Sequence, residues 1–170
     1  SNNFEDLSSI APISGSGFGP TDDGRIKPDI VAPASNLYTP ISSANDAYTS
    51  SSGGTSAATG IVAGSVALLR EHYQALNSDT LSSASLRAIL TQTADDIGNK
   101  GPDYKTGWGL LNTERAARFI SANSSNKTKA VLKDTLLSNS SSITISYEHS
   151  SSEPLIVTMA WTDPKGTIPS

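Results

Sequence analysis

The sequence contains no cysteine among its 170 residues. Disulfides, thiolate catalysis and cysteine-ligated zinc are therefore excluded as sources of stability or chemistry. The absence of cysteine fits a cytosolic protein and a bacterial secreted protein equally well, so it leaves the compartment open.

Charged and hydrophobic residues are also scarce. Only 16% of the residues are charged and 36% are hydrophobic, and the formal net charge is −4. No basic patch is present, which argues against nucleic acid as a partner. No apolar run approaches the roughly 18 residues of a membrane span, so no membrane contact is predicted. No signal peptide is visible at the N-terminus. The apolar residues cluster, which favours a core that is thin for a chain of this length.

The longest patterned stretch begins with the sequence SSGGTSAATGIVAG (51–64). Its first residues are polar, and no charged residue occurs between Ser51 and Arg70. Its apolar residues wrap most of the circumference of a predicted helix. This helix begins at Thr55 or Ser56 and ends near Ala75. Because no polar face is left over, the first turns of the helix are predicted to be buried.

Two further helices are predicted downstream. Residues 82–98 begin with serines that can cap a helix, and residues 107–120 lead from a Gly-Trp-Gly stretch into a helix with Asn112 or Thr113 as its N-cap. Upstream, a short apolar run between two prolines in residues 26–35 predicts a short buried strand. Two polar segments are predicted to be loops, residues 1–24 and 35–53.

The periodicity changes near the end of the chain. Apolar residues alternate in residues 142–148 and 155–161, which predicts half-buried strands. Helices in the middle and strands at the end predict two domains, residues 1–122 and 131–170, joined by a linker of residues 123–130. Since two strands do not make a stable sheet alone, the second domain is expected to be truncated or to be completed by another chain.

A serine hydroxyl at the start of the first helix allows two interpretations. Ser56 can be an N-cap that accepts a hydrogen bond from a free backbone N–H, and on spacing alone this is the commoner role. It can also be a nucleophile, because the free N–H groups and the positive end of the helix dipole stabilise an oxyanion formed beside the hydroxyl. The preceding glycines let a substrate approach the backbone.

The serine stretch resembles the motif of the subtilisin-like serine proteases (subtilases, peptidase family S8), whose pattern is Gly-Thr-Ser-Met/Ala-Ala-x-Pro-x-Val-Ala-Gly. Residues 54–64 here are GTSAATGIVAG. Two flanking segments resemble the same family in the same order, GPTDDGRIKPDIVAPAS (19–35) upstream and GWGLLNTERA (107–116) downstream. The segment LIVTMAWTDP (155–164) resembles the start of a β-sandwich that is appended to some bacterial subtilases.

This resemblance implies an α/β fold. Residues 1–122 would be the C-terminal part of a doubly wound parallel-sheet catalytic domain, and residues 131–170 would begin an antiparallel, jelly-roll-like β-sandwich. It also implies a secreted or extracellular serine endopeptidase that hydrolyses proteins or peptides through an acyl-enzyme on Ser56. The N–H of Ser56 would be one oxyanion donor, while Gly54 and Thr55 would shape the turn. No metal site is implied for the reaction, and no cofactor is required.

Two positions depart from the family pattern. Gly60 replaces a proline in the first turn of the helix, where proline would make the start of the helix more rigid. Ala34 replaces a glycine, and alanine would be strained there if the position needs a positive φ. Asp29 and Pro33 lie in the matched segment and are predicted to support the fold without taking part in chemistry.

The chain lacks a recognisable base for the serine. A serine hydroxyl is a weak nucleophile until a base takes its proton, and the family's Asp, His and oxyanion Asn lie well upstream of the serine. No histidine precedes Ser56. His72 lies about 24 Å further along a continuous helix and is interpreted as a solvated residue, and His149 is interpreted as a turn residue. The chain is therefore expected to carry only the nucleophile half of the site and to be inactive without the missing N-terminal part of the catalytic domain.

Two other functions stay open. The first is a non-catalytic subtilase-like protein used for binding or structure, which the departures at Gly60 and Ala34 favour. The second is a secreted, β-rich interaction module whose helical part is a spacer. Calcium is a further candidate ligand, although acidic pairs in loops are usually only solvated. The candidate calcium ligands are Asp22, Asp23, Asp95 and Asp96.

Overall fold

The computed structural model describes residues 6–125, 131–138, 140–146, 148 and 154–162. The elements follow one another as a 3-10 helix (Leu7–Ser9), strands β1 (Leu37–Pro40) and β2 (Tyr48–Ser52), and helices α1 (Thr55–Asn77), α2 (Ser83–Thr93) and α3 (Thr113–Ser125). Helix α1 packs against α3, and α3 packs against α2. None of the helices in this described part of the chain has the length and hydropathy of a membrane span.

Helix α1 begins where the charge-free stretch predicts it, but its predicted burial is wrong. Only Ser65 and Leu69 of this helix are buried, and Leu68 is 62% exposed. The side that carries Gly60 and Gly64 is also exposed. A helix that carries no charge before Arg70 needs partners on more than one side, and the described residues cover α1 mainly on the side that faces α3.

Side-chain caps determine where α2 and α3 begin. The hydroxyl of Ser82 accepts a hydrogen bond from the N–H of Ser85 (3.1 Å). The Oδ1 of Asn112 accepts one from the N–H of Arg115 (2.8 Å). Each cap satisfies a first-turn N–H that has no partner within its own helix. The predictions of a serine cap for α2 and of Asn112 as the cap of α3 are confirmed.

Both helices end at positions that the sequence pattern does not predict. Helix α2 ends at Thr93, because the next residue turns to an extended ψ of 148° and leaves the helix. Helix α3 continues through Ser125, into the predicted linker of residues 123–130. Asn123 explains this continuation, since it is buried and its Oδ1 accepts a hydrogen bond from the N–H of Leu132 (2.9 Å).

The hydrophobic core lies between the three α-helices. Leu132, which follows the predicted linker, packs against this core together with other partly buried residues. The small size of the cluster agrees with the scarcity of hydrophobic residues in the sequence. The buried members of the cluster are Leu69, Leu81, Ile89, Leu90, Ala116 and Ile120.

The strand predicted within residues 26–35 is reduced to a single bridge. Val31 pairs in parallel with Leu110, and Leu110 pairs in antiparallel fashion with Asp95. The N–H of Val31 donates to the carbonyl of Gly109 (3.0 Å). The only sheet formed by the described residues is two-stranded and antiparallel, so the doubly wound parallel sheet implied by the resemblance is not present in this part of the chain.

Residues 35–53 are not the loop that their polar composition predicts, because they contain the hairpin of β1 and β2. Serine and threonine outnumber apolar residues here and obscure the pattern. The available signal was two runs of strand-forming residues around a polar turn. The hairpin register pairs Leu37 with Ser52, Thr39 with Thr49 and Pro40 with Tyr48, with an irregularity after the first pair.

The two alternating stretches near the end of the chain form no strand among their described residues, 142–146, 148 and 155–161. Their apolar side chains are largely exposed, and Val157 reaches 80%. An extended segment becomes a strand only when a neighbour accepts and donates its backbone hydrogen bonds, and no ladder forms between the described residues here. The β-sandwich is therefore not confirmed. One contact of this region with the helices is made by Thr158, whose hydroxyl donates to the side chain of Gln92.

The loop between α2 and α3 is held by the carboxylate of Asp103. Its Oδ1 accepts hydrogen bonds from the backbone N–H groups of Thr106 and Lys105 (both 2.8 Å) and from the Thr106 hydroxyl (3.0 Å). These bonds, that of the Thr106 N–H first, lower the pKa of Asp103 below its ordinary value of 3.8. The ionised carboxylate is therefore the form that orders the loop.

Replacement of Asp103 by asparagine is expected to lower the free energy of unfolding at neutral pH. A lowered pKa in the folded state means that the carboxylate stabilises the fold above its unfolded pKa, and that this contribution is lost as the pH falls through the folded pKa. Urea denaturation at about pH 7 and about pH 3 should therefore show a difference between wild type and Asp103→Asn that shrinks at the lower pH. Asp46→Asn, in the exposed hairpin turn, is the control. A difference that does not change with pH would contradict a role for the charge.

Candidate active site

Ser56 is the second residue of α1, and its side chain is exposed. The N-cap of α1 is Gly54, and no side chain caps this helix. The interpretation of Ser56 as the N-cap is therefore wrong. No side chain in the described part of the protein donates to or accepts from the Ser56 hydroxyl, so the hydroxyl is available to react.

Two backbone donors lie beside this hydroxyl. The carbonyl of Gly54 accepts the N–H groups of Ala57 (3.1 Å) and Ala58 (3.2 Å). The N–H groups of Thr55 and Ser56 make no hydrogen bond with any described residue, as expected for the first positions of a helix. They lie at the positive end of the helix dipole. An exposed hydroxyl beside free N–H groups is the arrangement in which those N–H groups stabilise the oxyanion of a carbonyl group that the hydroxyl attacks.

Two glycines shape the turn that presents Ser56. Gly54 has a φ of 99°, a conformation that residues with a Cβ rarely adopt. Its N–H donates to the carbonyl of Ala34 (2.6 Å). A Cβ on Gly53 would lie 2.6 Å from that same carbonyl oxygen. The turn is thus held tightly against the segment around Ala34, and only glycine fits at both positions.

The two departures from the family pattern do not disturb this geometry. Ala34 is not among the described non-glycine residues with positive φ, which are Asn36, Ser78 and Ser140, so the strain considered for alanine at this position does not arise. Gly60 lies inside the unbroken helix α1, and a Cβ there would meet nothing within 4 Å. Thr55 contributes its carbonyl, which accepts the Thr59 hydroxyl (2.9 Å), and thereby ties the first two turns together.

Neither histidine is placed to act on Ser56. Helix α1 is continuous from Thr55 to Asn77, so His72 lies about 24 Å away along the helix axis. His72 is not the solvated residue that the sequence suggests. It is half-buried, and its Nε2 lies 2.8 Å from the Ser121 hydroxyl, which links α1 to α3. His149 lies outside the described residues.

Asp29 joins the segment of residues 26–35 to helix α2. Its carboxylate binds Lys27 (2.5 Å) and Arg87 (2.9 Å) through different oxygens, and its carbonyl accepts the N–H of Trp108 (2.9 Å). Burial raises the pKa of Asp29, but the hydrogen bonds from Lys27 and Arg87 outweigh it, so the pKa lies below its ordinary value of 3.8. These contacts agree with a role in supporting the fold.

Several of the carboxylates considered for calcium have protein partners. Hydrogen bonds from the Thr21 hydroxyl and from Arg25 lower the pKa of Asp23 to about 2. Asp95 binds Arg115 (3.0 Å), and Asp96 accepts the N–H of Gly101 (2.8 Å). Within the described ranges, no group of three or more His, Cys, Asp or Glu side chains could hold a metal ion. Calcium binding stays an untested prediction.

Comparison with known proteins relates this site to a family. A family model described as "Subtilase family" matches residues 6–109, more than half of the chain. The chain is 26% identical over 188 residues to the serine protease/ABC transporter B family protein tagA of Dictyostelium discoideum, covering 94% of this chain and 11% of that protein. It is 44% identical over 63 residues to the autotransporter lipoprotein NalP of Neisseria meningitidis, covering 37% of this chain and 5% of that protein.

A plant protein shows a similar relationship. The chain is 34% identical over 124 residues to the subtilisin-like protease SBT3.9 of Arabidopsis thaliana, covering 64% of this chain and 16% of that protein. The chain thus spans between 5% and 16% of the length of these three relatives.

Proposed function

Because this chain belongs to the subtilase family, we propose that it carries the nucleophile half of a serine endopeptidase active site, with Ser56 as the residue that is acylated. The observation that supports this proposal is the exposed Ser56 hydroxyl, which has no side-chain partner among the described residues and lies beside the free N–H groups of Thr55 and Ser56. The substrates would be proteins or peptides.

The reaction follows from this geometry. The Oγ of Ser56 attacks the carbonyl carbon of a peptide bond while its proton passes to a base. The resulting oxyanion accepts the N–H of Ser56 at the positive end of α1. The tetrahedral intermediate then collapses, the peptide C–N bond breaks, and the amine leaves with a proton. Water attacks the acyl-enzyme in the same way and releases the acid. The family needs no metal or cofactor for these steps.

We propose that the base is supplied by polypeptide other than the described residues. No histidine precedes Ser56 in the sequence. His72 lies far from Ser56 along α1 and forms a hydrogen bond with Ser121. The exposed side of α1 that carries Gly60 and Gly64 is the surface on which that polypeptide would pack, since Cβ atoms on these two glycines would meet nothing within 4 Å. In this proposal, that polypeptide would bury this side of α1 and bring the base to Ser56.

A secreted location is part of the proposal. The Neisseria relative is described as an autotransporter lipoprotein, which supports this location. The alternative function is a non-catalytic subtilase-like protein that binds a partner. The lack of a base among the described residues around Ser56 is the observation that favours it.

A fluorophosphonate probe, which reacts with activated serine hydroxyls, separates the two functions. The complete gene product and the 170-residue chain alone would each be treated with the probe, and labelling would be located by intact mass. We expect one label on the gene product, none on the Ser56→Ala variant and none on the isolated chain. Ser83→Ala removes an equivalent exposed serine from the first turn of α2 and should still be labelled. A folded gene product that takes no label would establish the non-catalytic alternative.

A further inference from the structure

The hairpin that precedes Ser56 carries an exposed pair of stacked aromatic rings. Tyr38 on β1 and Tyr48 on β2 lie with their ring centroids 5.2 Å apart and their planes inclined by 9°. Tyr38 is 73% exposed and Tyr48 is 54% exposed. The stack helps to hold the two strands together, yet it leaves most of both rings in water.

The face that carries the two rings is uncharged, and exposed serines of β2, Ser50 and Ser51, border the rings. Tyr38 and Pro40 of β1 and Tyr48 of β2 are exposed, whereas Thr39 and Thr49 on the other face are half-buried. Neither strand contains a charged residue. This chemistry suits an uncharged aromatic side chain, which gains from an offset or edge-to-face contact with tyrosine as well as from leaving water.

The hairpin is joined at both of its ends to the turn that presents Ser56. Strand β2 ends at Ser52, four residues before the serine. On the other side, Ala34 lies three residues before β1, and its carbonyl accepts the N–H of Gly54 (2.6 Å). The aromatic pair and the nucleophile therefore belong to one short, hydrogen-bonded unit, and the position of one determines the position of the other.

The separation suits an extended peptide. Tyr48 lies at the far end of β2, about 13 Å from Ser52 at about 3.4 Å per residue. An extended peptide advances by a similar distance per residue. A peptide whose scissile carbonyl lies at Ser56 would reach the aromatic pair with a side chain roughly four to six residues from the scissile bond.

We propose that Tyr38 and Tyr48 form a docking surface for the substrate polypeptide, which takes an aromatic side chain at that distance from the bond that is cut. This inference rests on the proposed function, because it assigns the peptidase a preference away from the scissile bond. The two rings are already stacked, so little side-chain freedom is lost when a third ring is added. A single aromatic contact of this kind should change kcat/KM by about fivefold.

The test compares peptides cut by the complete gene product. The peptides share one scissile bond and differ only by phenylalanine or alanine at a single position, four to six residues away on either side. We expect the phenylalanine peptide to have a kcat/KM about five times that of its alanine counterpart at one of these positions. This ratio should fall to about one in Tyr38→Ala and Tyr48→Ala, and it should persist in Tyr38→Phe and Tyr48→Phe. Tyr104→Ala removes an exposed tyrosine outside the hairpin and should keep the ratio.

The outcomes distinguish this inference from the function on which it rests. An enzyme that takes the fluorophosphonate label but shows a ratio near one at every position would overturn the docking surface and leave the proposed function standing. If no label is taken, fluorescence anisotropy is used to measure binding of the phenylalanine peptide to the gene product, and this binding tests the docking surface. Binding that Tyr48→Ala weakens about fivefold supports the surface, and binding of equal strength in wild type and Tyr48→Ala, or absence of binding, overturns it. Protection of both tyrosines from iodination in the free gene product would also overturn it, because another part of the protein would then cover them.

Discussion

Gly109→Ala should lower the free energy of unfolding of this chain by about 3 kcal/mol. Gly109 has a φ of 118°, which strains any residue that has a Cβ. The added Cβ would also overlap the backbone carbonyl of Asp95. That carbonyl accepts the N–H of Leu110 (2.8 Å), and the carbonyl of Leu110 accepts the N–H of Asp95 (2.8 Å). Relief of the overlap would therefore break the antiparallel bridge between these residues.

Urea denaturation of wild type and Gly109→Ala measures this loss. The matched control is Gly64→Ala, because a Cβ at Gly64 would meet nothing within 4 Å and alanine is the better helix former. The control should raise the free energy of unfolding of the isolated chain by about 0.5–1 kcal/mol. Equal and small changes in the two variants would contradict the close contact assigned to Gly109.

Gly53→Ala should slow the reaction of Ser56 with a fluorophosphonate by about a hundredfold in the complete gene product. The new Cβ would lie 2.6 Å from the carbonyl oxygen of Ala34 and 3.2 Å from the Cα of Ser35. Both neighbours are backbone atoms, so the turn itself must move. That movement breaks the hydrogen bond from the N–H of Gly54 to the carbonyl of Ala34. It also shifts the hydroxyl of Ser56 away from the position in which it attacks the probe, and a small shift of a reacting atom is enough to slow a reaction greatly.

The second-order rate constant of labelling measures this effect. Gly15→Ala is the control, because a Cβ at Gly15 would meet nothing within 4 Å. Circular dichroism of Gly53→Ala distinguishes a displaced serine from an unfolded protein. Labelling at the wild-type rate in a folded Gly53→Ala variant would show that the contact with Ala34 does not position the nucleophile.

The candidate site could be predicted from the sequence because its signals are local. A charge-free run after Gly-Gly-Thr-Ser is enough to place a helix start beside Ser56. The prediction failed on whether Ser56 is the cap of that helix, because the choice between Gly54 and Ser56 as the cap depends on one residue's backbone angles. The sequence likewise could not show that Ala34 holds the turn, since Gly53 lies nineteen positions further along the chain, beyond the whole hairpin.

The hairpin and the burial of α1 are features that local sequence signals do not predict. Tyr38 and Tyr48 meet because the short strand β1 pairs with the serine-rich strand β2, and neither strand has the alternation of apolar residues that predicts a strand. The apolar circumference of α1 predicts burial of its first turns, yet burial depends on what packs against a helix, and α3 covers only one side of α1. The pattern of apolar residues along a helix indicates which surface of the helix needs a packing partner. It contains no information about where in the protein that partner lies.

The sequence by itself determined the family, a helix that begins at Thr55 or Ser56, a serine cap within residues 82–84 and a cap at Asn112 or Thr113. Each of these depends on residues within a few positions of one another, because caps, turns and helical periodicity act over short distances along the chain. Only the tertiary structure decided that Gly109 closes a bridge to Asp95, that His72 binds Ser121, and that two exposed tyrosines stack beside the serine turn. These contacts join residues far apart in the sequence, and close packing in three dimensions selects them.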